Sequence, residues 1–133
     1  MSRVVAGMKW VMLVCGLVTC TMLYAAIAPQ AALHSSFGEA LEGPVADVVV
    51  RSWGVLITLV GAMLVYGAFE VAARPLVLTV AGLSKLAFIA LVLTGGRQFL
   101  AHGAGVAVVS DVIQVTLFAA YLVATRGRVR VPA

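Results

Sequence analysis

The chain contains four apolar segments, each about 20 residues long, joined by short polar connections. They cover residues 10–28, 48–69, 76–94 and 105–125. A helix needs about 20 mostly apolar residues to cross the hydrocarbon of a bilayer, so each segment is long enough to span it once. With 63% hydrophobic and 11% charged residues, the chain has too little polar surface for a water-soluble domain. The sequence therefore predicts an all-α integral membrane protein, a four-helix bundle with short loops forming a single transmembrane domain over residues 1–133.

The connections between the segments differ in length and polarity. The first contains Leu33, Phe37 and Leu41, which recur every four positions, so we expect a short interfacial helix along the membrane surface between spans 1 and 2. Asp47 is then expected to cap the second span, with Arg51 one turn further on. The second connection is much shorter, which predicts an antiparallel hairpin of the second and third spans.

Charged residues are distributed unequally between the two ends of the predicted spans. With a cytoplasmic N-terminus, the cytoplasmic side receives Arg3, Lys9, Glu70, Arg74, Arg126, Arg128 and Arg130, and the opposite side receives Glu39, Glu42, Asp47, Arg51 and Arg97. Because positive residues favour the cytoplasmic side, we expect a bacterial inner membrane protein with both termini in the cytoplasm. The same rule explains the net charge of +4 without a nucleic-acid partner.

Lys85 lies near the middle of the third segment, where a lysine costs about 2.5 to 3.5 kcal/mol on insertion scales. Asp111 and Gln114 are the strongly polar residues at similar depth on the fourth segment. A rise of 1.5 Å per residue places Gln114 nearly level with Lys85 and Asp111 roughly 5 Å further from the cytoplasmic side. Since side chains lean towards the start of their own helix, we expect a water molecule or Gln114 between Lys85 and Asp111 rather than a direct ion pair.

Two interpretations of these polar residues stay open. In one, Lys85, Asp111 and Gln114 line a polar cavity for a proton, an ion or a lipid headgroup. In the other, Lys85 extends towards the cytoplasmic interface and Asp111 faces the opposite one. Arg51 either anchors the second span, paired with Asp47 four residues before it, or binds an anionic headgroup. Lys85, Asp111, Gln114 and Arg51 are therefore the candidate ligand-binding residues.

Catalytic, cofactor and metal motifs are absent from the sequence, which contains no GxSxG, HExxH, Walker or dinucleotide-binding pattern. His34 and His102 lack the spacing of a metal site. Cys15 and Cys20 are five residues apart, about 140° around a helix, so no disulfide is expected. We predict no catalytic residue, no metal and no cofactor.

Small residues mark the helix faces that can approach closely. Gly54, Gly61 and Ala68 recur every seven residues on the second span, and Gly16 and Cys20 form a small pair on the first. In lipid, such residues let helix backbones pack closely. The pattern fits contacts within one chain as well as a homo-oligomer.

Several of these features together resemble a known group of membrane proteins. Arg51 followed by Gly54, the turn ending in Arg74-Pro75, and the segment LSKLAFIALVL resemble the small four-helix proteins grouped as DoxX-like, over residues 51–121. The resemblance implies a four-helix bundle. Some relatives are associated with quinone-linked oxidoreductase complexes, but no cysteine pair or cofactor ligand in this chain matches that chemistry, so only the fold is carried over.

We predict a non-catalytic accessory or binding protein that holds a lipid-like or quinone-like ligand in an intramembrane polar cavity, with membrane lipids as partners. One alternative is a small homo-oligomeric transporter or proton-linked channel that uses Lys85 and Asp111 as its coupling pair. Another is a membrane-embedded isomerase or reductase, in which Lys85, Asp111 or His102 acts as acid or base.

Overall fold

The computed structural model describes residues 2–39 and 41–125. The α-helices of this part are α1 (Ser2–Cys20), α2 (Leu23–Ile27), α3 (Pro29–Phe37), α4 (Pro44–Phe69), α5 (Arg74–Gly95) and α6 (Gly103–Thr125). Short 3-10 turns lie at Val71–Ala73 and Arg97–Ala101. The described residues contain no β-strand, so the predicted all-α fold is confirmed. The basic residues Arg126, Arg128 and Arg130 that entered the orientation count lie outside the described residues.

Four helical segments are long and apolar enough to cross a membrane, which indicates a multi-pass membrane protein. They are Arg3–Ile27, Pro44–Phe69, Val71–Gly95 and Gly103–Thr125, with mean hydropathies of 2.0 to 2.3. Each one contains most of a segment predicted from the sequence. Large apolar side chains cover their outer faces, for example on α5, where Leu76, Leu83 and Leu91 are more than 60% exposed. Helices that are apolar on all sides need hydrocarbon around them.

The second span begins earlier than predicted. Pro44 occupies the first turn of α4, where its fixed φ suits a helix and its missing N–H costs nothing. Gly43 precedes it with a φ of +108°, a conformation that favours glycine. The prediction that Asp47 caps this helix is therefore wrong, and Asp47 lies within the first turn.

The helices follow one another around the bundle. α1 packs against α4, α4 and α5 form the predicted hairpin, α5 packs along α6, and α6 returns to contact α1. The α1–α4 contact is very close, because a Cβ atom added to Gly61 would lie 2.7 Å from the carbonyl oxygen of Gly16. One added to Gly54 would lie 2.6 Å from the backbone nitrogen of Ala26. These small residues thus form contacts within one chain.

The first span is not one continuous helix. Between α1 and α2 the backbone hydrogen bonds join residues three apart instead of four. The Thr21 nitrogen lies 3.1 Å from the Val18 oxygen, and the Met22 nitrogen lies 3.2 Å from the Thr19 oxygen. The Thr19 hydroxyl also donates to the Cys15 carbonyl at 2.7 Å. Threonine hydroxyls bonded back to the preceding turn often bend helices. The break therefore places Thr19 at a bend that faces the bundle interior, where it is 5% exposed.

The predicted helix between spans 1 and 2 is present as α3, which packs against α4 and α6. Its last residue, Phe37, contacts Trp53 of α4 with ring centroids 6.1 Å apart and Phe99 with centroids 5.1 Å apart. Leu41, the third residue of the predicted apolar stripe, lies beyond the helix and is 61% exposed. Aromatic packing therefore holds α3 on the bundle at the end opposite the α4–α5 turn.

Candidate functional site in the bundle interior

The centre of the candidate site is a direct ion pair between α5 and α6. Lys85 Nζ lies 3.0 Å from Asp111 Oδ1, and the two side chains are only 9% and 14% exposed. This is the one ion pair within 4.0 Å among the residues that the structure describes. The expectation that water or Gln114 would separate the two groups is therefore wrong.

The register between α5 and α6 explains the direct pair. Arg74 Nη1 donates to the Tyr121 hydroxyl at 3.3 Å, which aligns the two helices at that point. Lys85 lies 11 residues after Arg74 and Asp111 lies 10 residues before Tyr121, so they reach the same level. The sequence-based estimate aligned residue 125 with residue 76, which displaced α6 by about five residues, or roughly 7 Å.

A third helix contributes to the surroundings of the ammonium group. Lys85 Nζ also donates to Thr19 Oγ1 of α1 at 3.4 Å, and the Thr19 hydroxyl in turn donates a hydrogen bond to the backbone carbonyl oxygen of Cys15 at 2.7 Å. Lys85 is 8% exposed and directed at Asp111. The interpretation in which it extends to the cytoplasmic interface is therefore wrong. Cys15 and Cys20 are free thiols, as predicted.

Gln114 lies one turn after Asp111 on the same helix and is 5% exposed. Its amide nitrogen donates to Ser110 Oγ at 3.0 Å. Its amide oxygen is buried and has no hydrogen-bond partner within residues 2–39 and 41–125. A buried acceptor without a partner costs about 1 to 3 kcal/mol, and native structures contain few of them. Gln114 is thus the incompletely satisfied member of the group.

Arg51, the fourth candidate residue, does not join the other three. Its Nη1 atom donates to the carbonyl oxygen of Ala26 at 2.5 Å, near the end of α2. Asp47, its predicted partner, instead accepts a hydrogen bond from Gln30 Nε2 at 3.1 Å. The prediction that Arg51 pairs with Asp47 is wrong. The carbonyl group of Ala26 lies in the last turn of α2 and lacks an intrahelical partner, so it accepts the hydrogen bond of the Arg51 guanidinium instead.

Arg74 is the important polar residue that sequence analysis missed, since it was counted only as a cytoplasmic charge. It is 2% exposed and donates to Gly67 O at 2.9 Å, Ala68 O at 2.9 Å and Val5 O at 3.0 Å. Its guanidinium also lies 5.7 Å from the centre of the Tyr121 ring. One side chain thereby connects all four spans. Its position five residues after Phe69, the last residue of a helix whose final carbonyl groups have no intrahelical partner, was the available signal.

A second polar region lies on the surface near the start of α4. It is an open hollow of about 530 Å³ lined by Gln30, Glu42, Gly43, Pro44 and Asp47. Within this hollow, the side-chain Nε2 atom of Gln30 donates a hydrogen bond to Leu41 O at 2.7 Å. Within the described ranges, no group of three or more His, Cys, Asp or Glu side chains is placed to hold a metal ion.

No protein-family model, curated protein or solved structure matches the chain. The DoxX-like resemblance therefore stays a prediction. The function is inferred from the geometry of Lys85, Asp111, Thr19 and Gln114.

Proposed function

We propose that this multi-pass membrane protein is a non-catalytic binding or accessory protein that holds a lipid-like or quinone-like ligand at Lys85, Asp111 and Gln114. The observation that carries the proposal is the buried ion pair beside an amide oxygen with no partner in the described part of the chain. Ionisable groups inside a membrane are costly and usually functional. A buried acceptor without a partner is rare in native structures and calls for an explanation, and a ligand that completes the site supplies one.

The position of the pair suits a ligand that enters from the bilayer. Asp111 is the more exposed partner, at 14% of its side chain, and Ser110 beside it is partly exposed. On the outer face of α6, Ile113 and Leu117 are 55% and 41% exposed. An amphiphile can therefore place its headgroup at Asp111 while its apolar chain lies along α6.

The test compares the molecules that co-purify with the wild type and with two variants of the protein in native lipids. The double variant Lys85→Met with Asp111→Leu removes both charges together, so neither is left buried alone, and an apolar replacement of this kind preserves folding. The control is Thr116→Val, since Thr116 is exposed on α6 and its hydroxyl is bonded within the helix to Val112 O at 2.8 Å.

Mass spectrometry of the extracts should find a molecule bound to the wild type and to Thr116→Val, and missing from the double variant. Equal retention by the double variant would contradict the proposal. A wild-type extract that contains bulk bilayer lipid in unselected proportions would contradict it as well.

A second candidate function is that of a small homo-oligomeric transporter or proton-linked channel. The direct Lys85–Asp111 pair favours it, because protonation of Asp111 would release the ammonium and couple its position to a proton. Proteoliposomes containing a pH-sensitive dye distinguish the two functions. Proton flux with the wild type but not with the folded double variant Lys85→Met with Asp111→Leu would replace the binding proposal.

We further propose that the chain is a DoxX-like protein of a bacterial inner membrane with both termini in the cytoplasm. Arg3, Lys9 and Arg74 lie at the α4–α5 turn end of the bundle, and Glu39 and Glu42 lie at the other, which supports this orientation. An impermeant maleimide applied to intact spheroplasts should label Glu42→Cys but not Glu70→Cys until the membrane is opened. The reverse labelling pattern would invert the orientation.

A further inference from the structure

The charge of the candidate site restricts the ligand that it can hold. Lys85 and Asp111 form a one-to-one pair, and no other carboxylate of the described residues lies within 4.0 Å of the ammonium. The pair is thus electrically neutral as a unit. An added ion would introduce an uncompensated charge into the membrane interior, which is strongly unfavourable. The site therefore favours a headgroup without net charge.

The hydrogen-bonding groups restrict the ligand further. An ammonium group has three N–H donors, and Lys85 uses two of them, on Asp111 and Thr19. Asp111 uses only Oδ1 towards Lys85, so its second oxygen adds accepting capacity, and the buried oxygen of Gln114 adds more. The site thus offers more acceptors than donors to a ligand. A complementary headgroup must itself donate hydrogen bonds.

We propose that the site recognises a neutral amphiphile whose headgroup carries a free hydroxyl, such as a long-chain alcohol or a diacylglycerol. This inference rests on the proposed binding function and specifies its ligand class. The hydroxyl donates to the Gln114 amide oxygen and accepts from the third N–H of Lys85. A headgroup with only carbonyl, ether or ester oxygens satisfies Lys85 but leaves the Gln114 oxygen without a partner.

The orientation of the Gln114 amide determines this preference. Its nitrogen is directed to Ser110 Oγ at 3.0 Å, which leaves the oxygen as the free group. A hydrogen bond to a buried acceptor is worth about 1 to 1.5 kcal/mol, so the hydroxyl should change affinity about tenfold.

The experiment uses two lipids with the same acyl chains, 1,2-dioleoylglycerol, whose 3-hydroxyl is free, and its 3-acetyl ester, in which a small ester group replaces that donor. The full chain is purified in detergent with an equal mixture of the two, and native mass spectrometry measures the ratio bound. The wild type should retain the hydroxyl-bearing lipid about ten times better. Gln114→Met, which has a similar volume and no acceptor oxygen, should reduce the ratio to about one, and Thr116→Val should leave it unchanged.

Three outcomes overturn the inference, and they are distinguishable from failure of the proposed function. Equal retention of both lipids by the wild type removes the hydroxyl preference while binding remains, and this measurement requires no variant. A preference that persists in Gln114→Met shows that the amide oxygen is not the group that recognises the hydroxyl. If neither lipid is retained, the hydroxyl inference is wrong. The binding proposal falls with it only if native extracts also contain no selectively bound molecule.

Discussion

Replacing Arg74 by methionine tests how the four spans are held together at one end. The carbonyl groups of Gly67 and Ala68 lie in the last turn of α4, where the helix supplies no further N–H groups. Arg74 donates to both at 2.9 Å from a position that is 2% exposed. Without the guanidinium, each of these buried carbonyl groups is left without a hydrogen-bond donor, which costs about 1 to 3 kcal/mol of stability. Removing a buried charge offsets part of this, so we expect a loss of about 2 to 4 kcal/mol in the free energy of unfolding.

The assay is unfolding in mixed micelles with increasing sodium dodecyl sulfate, followed by far-ultraviolet circular dichroism. Arg97→Met is the matched control, because Arg97 is exposed and its Nε atom donates to Leu93 O, four residues earlier near the end of α5, at 2.9 Å. The expected loss in the free energy of unfolding of Arg97→Met is below about 0.5 kcal/mol. Arg74→Lys should fall between the two, since lysine has three donors and no planar fork.

The reasoning would be refuted by an Arg74→Met variant that unfolds at the same detergent fraction as Arg97→Met. That result would mean that water or other backbone groups supply the missing donors. A loss as large in Arg74→Lys as in Arg74→Met would instead show that the fork geometry, and not the positive charge, is what the carbonyl groups require.

Two further predictions concern helix packing and the ion pair. Gly61→Val should destabilise the fold by about 1 to 3 kcal/mol, because its Cβ would lie 2.7 Å from Gly16 O. Gly82→Val should cost far less, since nothing lies within 4 Å of a Cβ there, and equal losses in the same unfolding assay would contradict the α1–α4 contact. Asp111→Asn should cost about 3 to 5 kcal/mol by leaving Lys85 charged and unpaired, more than the double replacement of both residues by apolar side chains. A double variant less stable than the single one would contradict this order.

Much of the architecture could be predicted because it depends on the length and the summed hydropathy of individual segments of the chain. The length and hydropathy of each apolar segment predicted the four spans, and the short connection after Phe69 predicted the α4–α5 hairpin. The small residues at Gly54 and Gly61 indicated a close helix contact before any partner was known. Errors occurred at the helix starts, where Pro44 rather than Asp47 determined the boundary.

The candidate site was predicted in part. Lys85, Asp111 and Gln114 were selected because ionisable and amide groups are rare at that depth, and the structure brings Lys85 and Asp111 into contact. Arg51 was selected for its charge and lies elsewhere. Arg74 was overlooked as a structural residue, because an arginine beside a membrane span usually reports orientation, and its place just after the end of α4 was not read as a capping position.

The sequence by itself determined that this chain is helical and that its helices are apolar enough to need hydrocarbon around them, since helix length and hydropathy are properties of each segment alone. Only the tertiary structure decided which polar groups meet. That outcome depends on the register between helices, and the register is set by distant contacts, such as Arg74 with Tyr121 and Gly16 with Gly61, whose energies no single segment contains. A shift of about five residues along α6 separates a direct ion pair from two isolated charges.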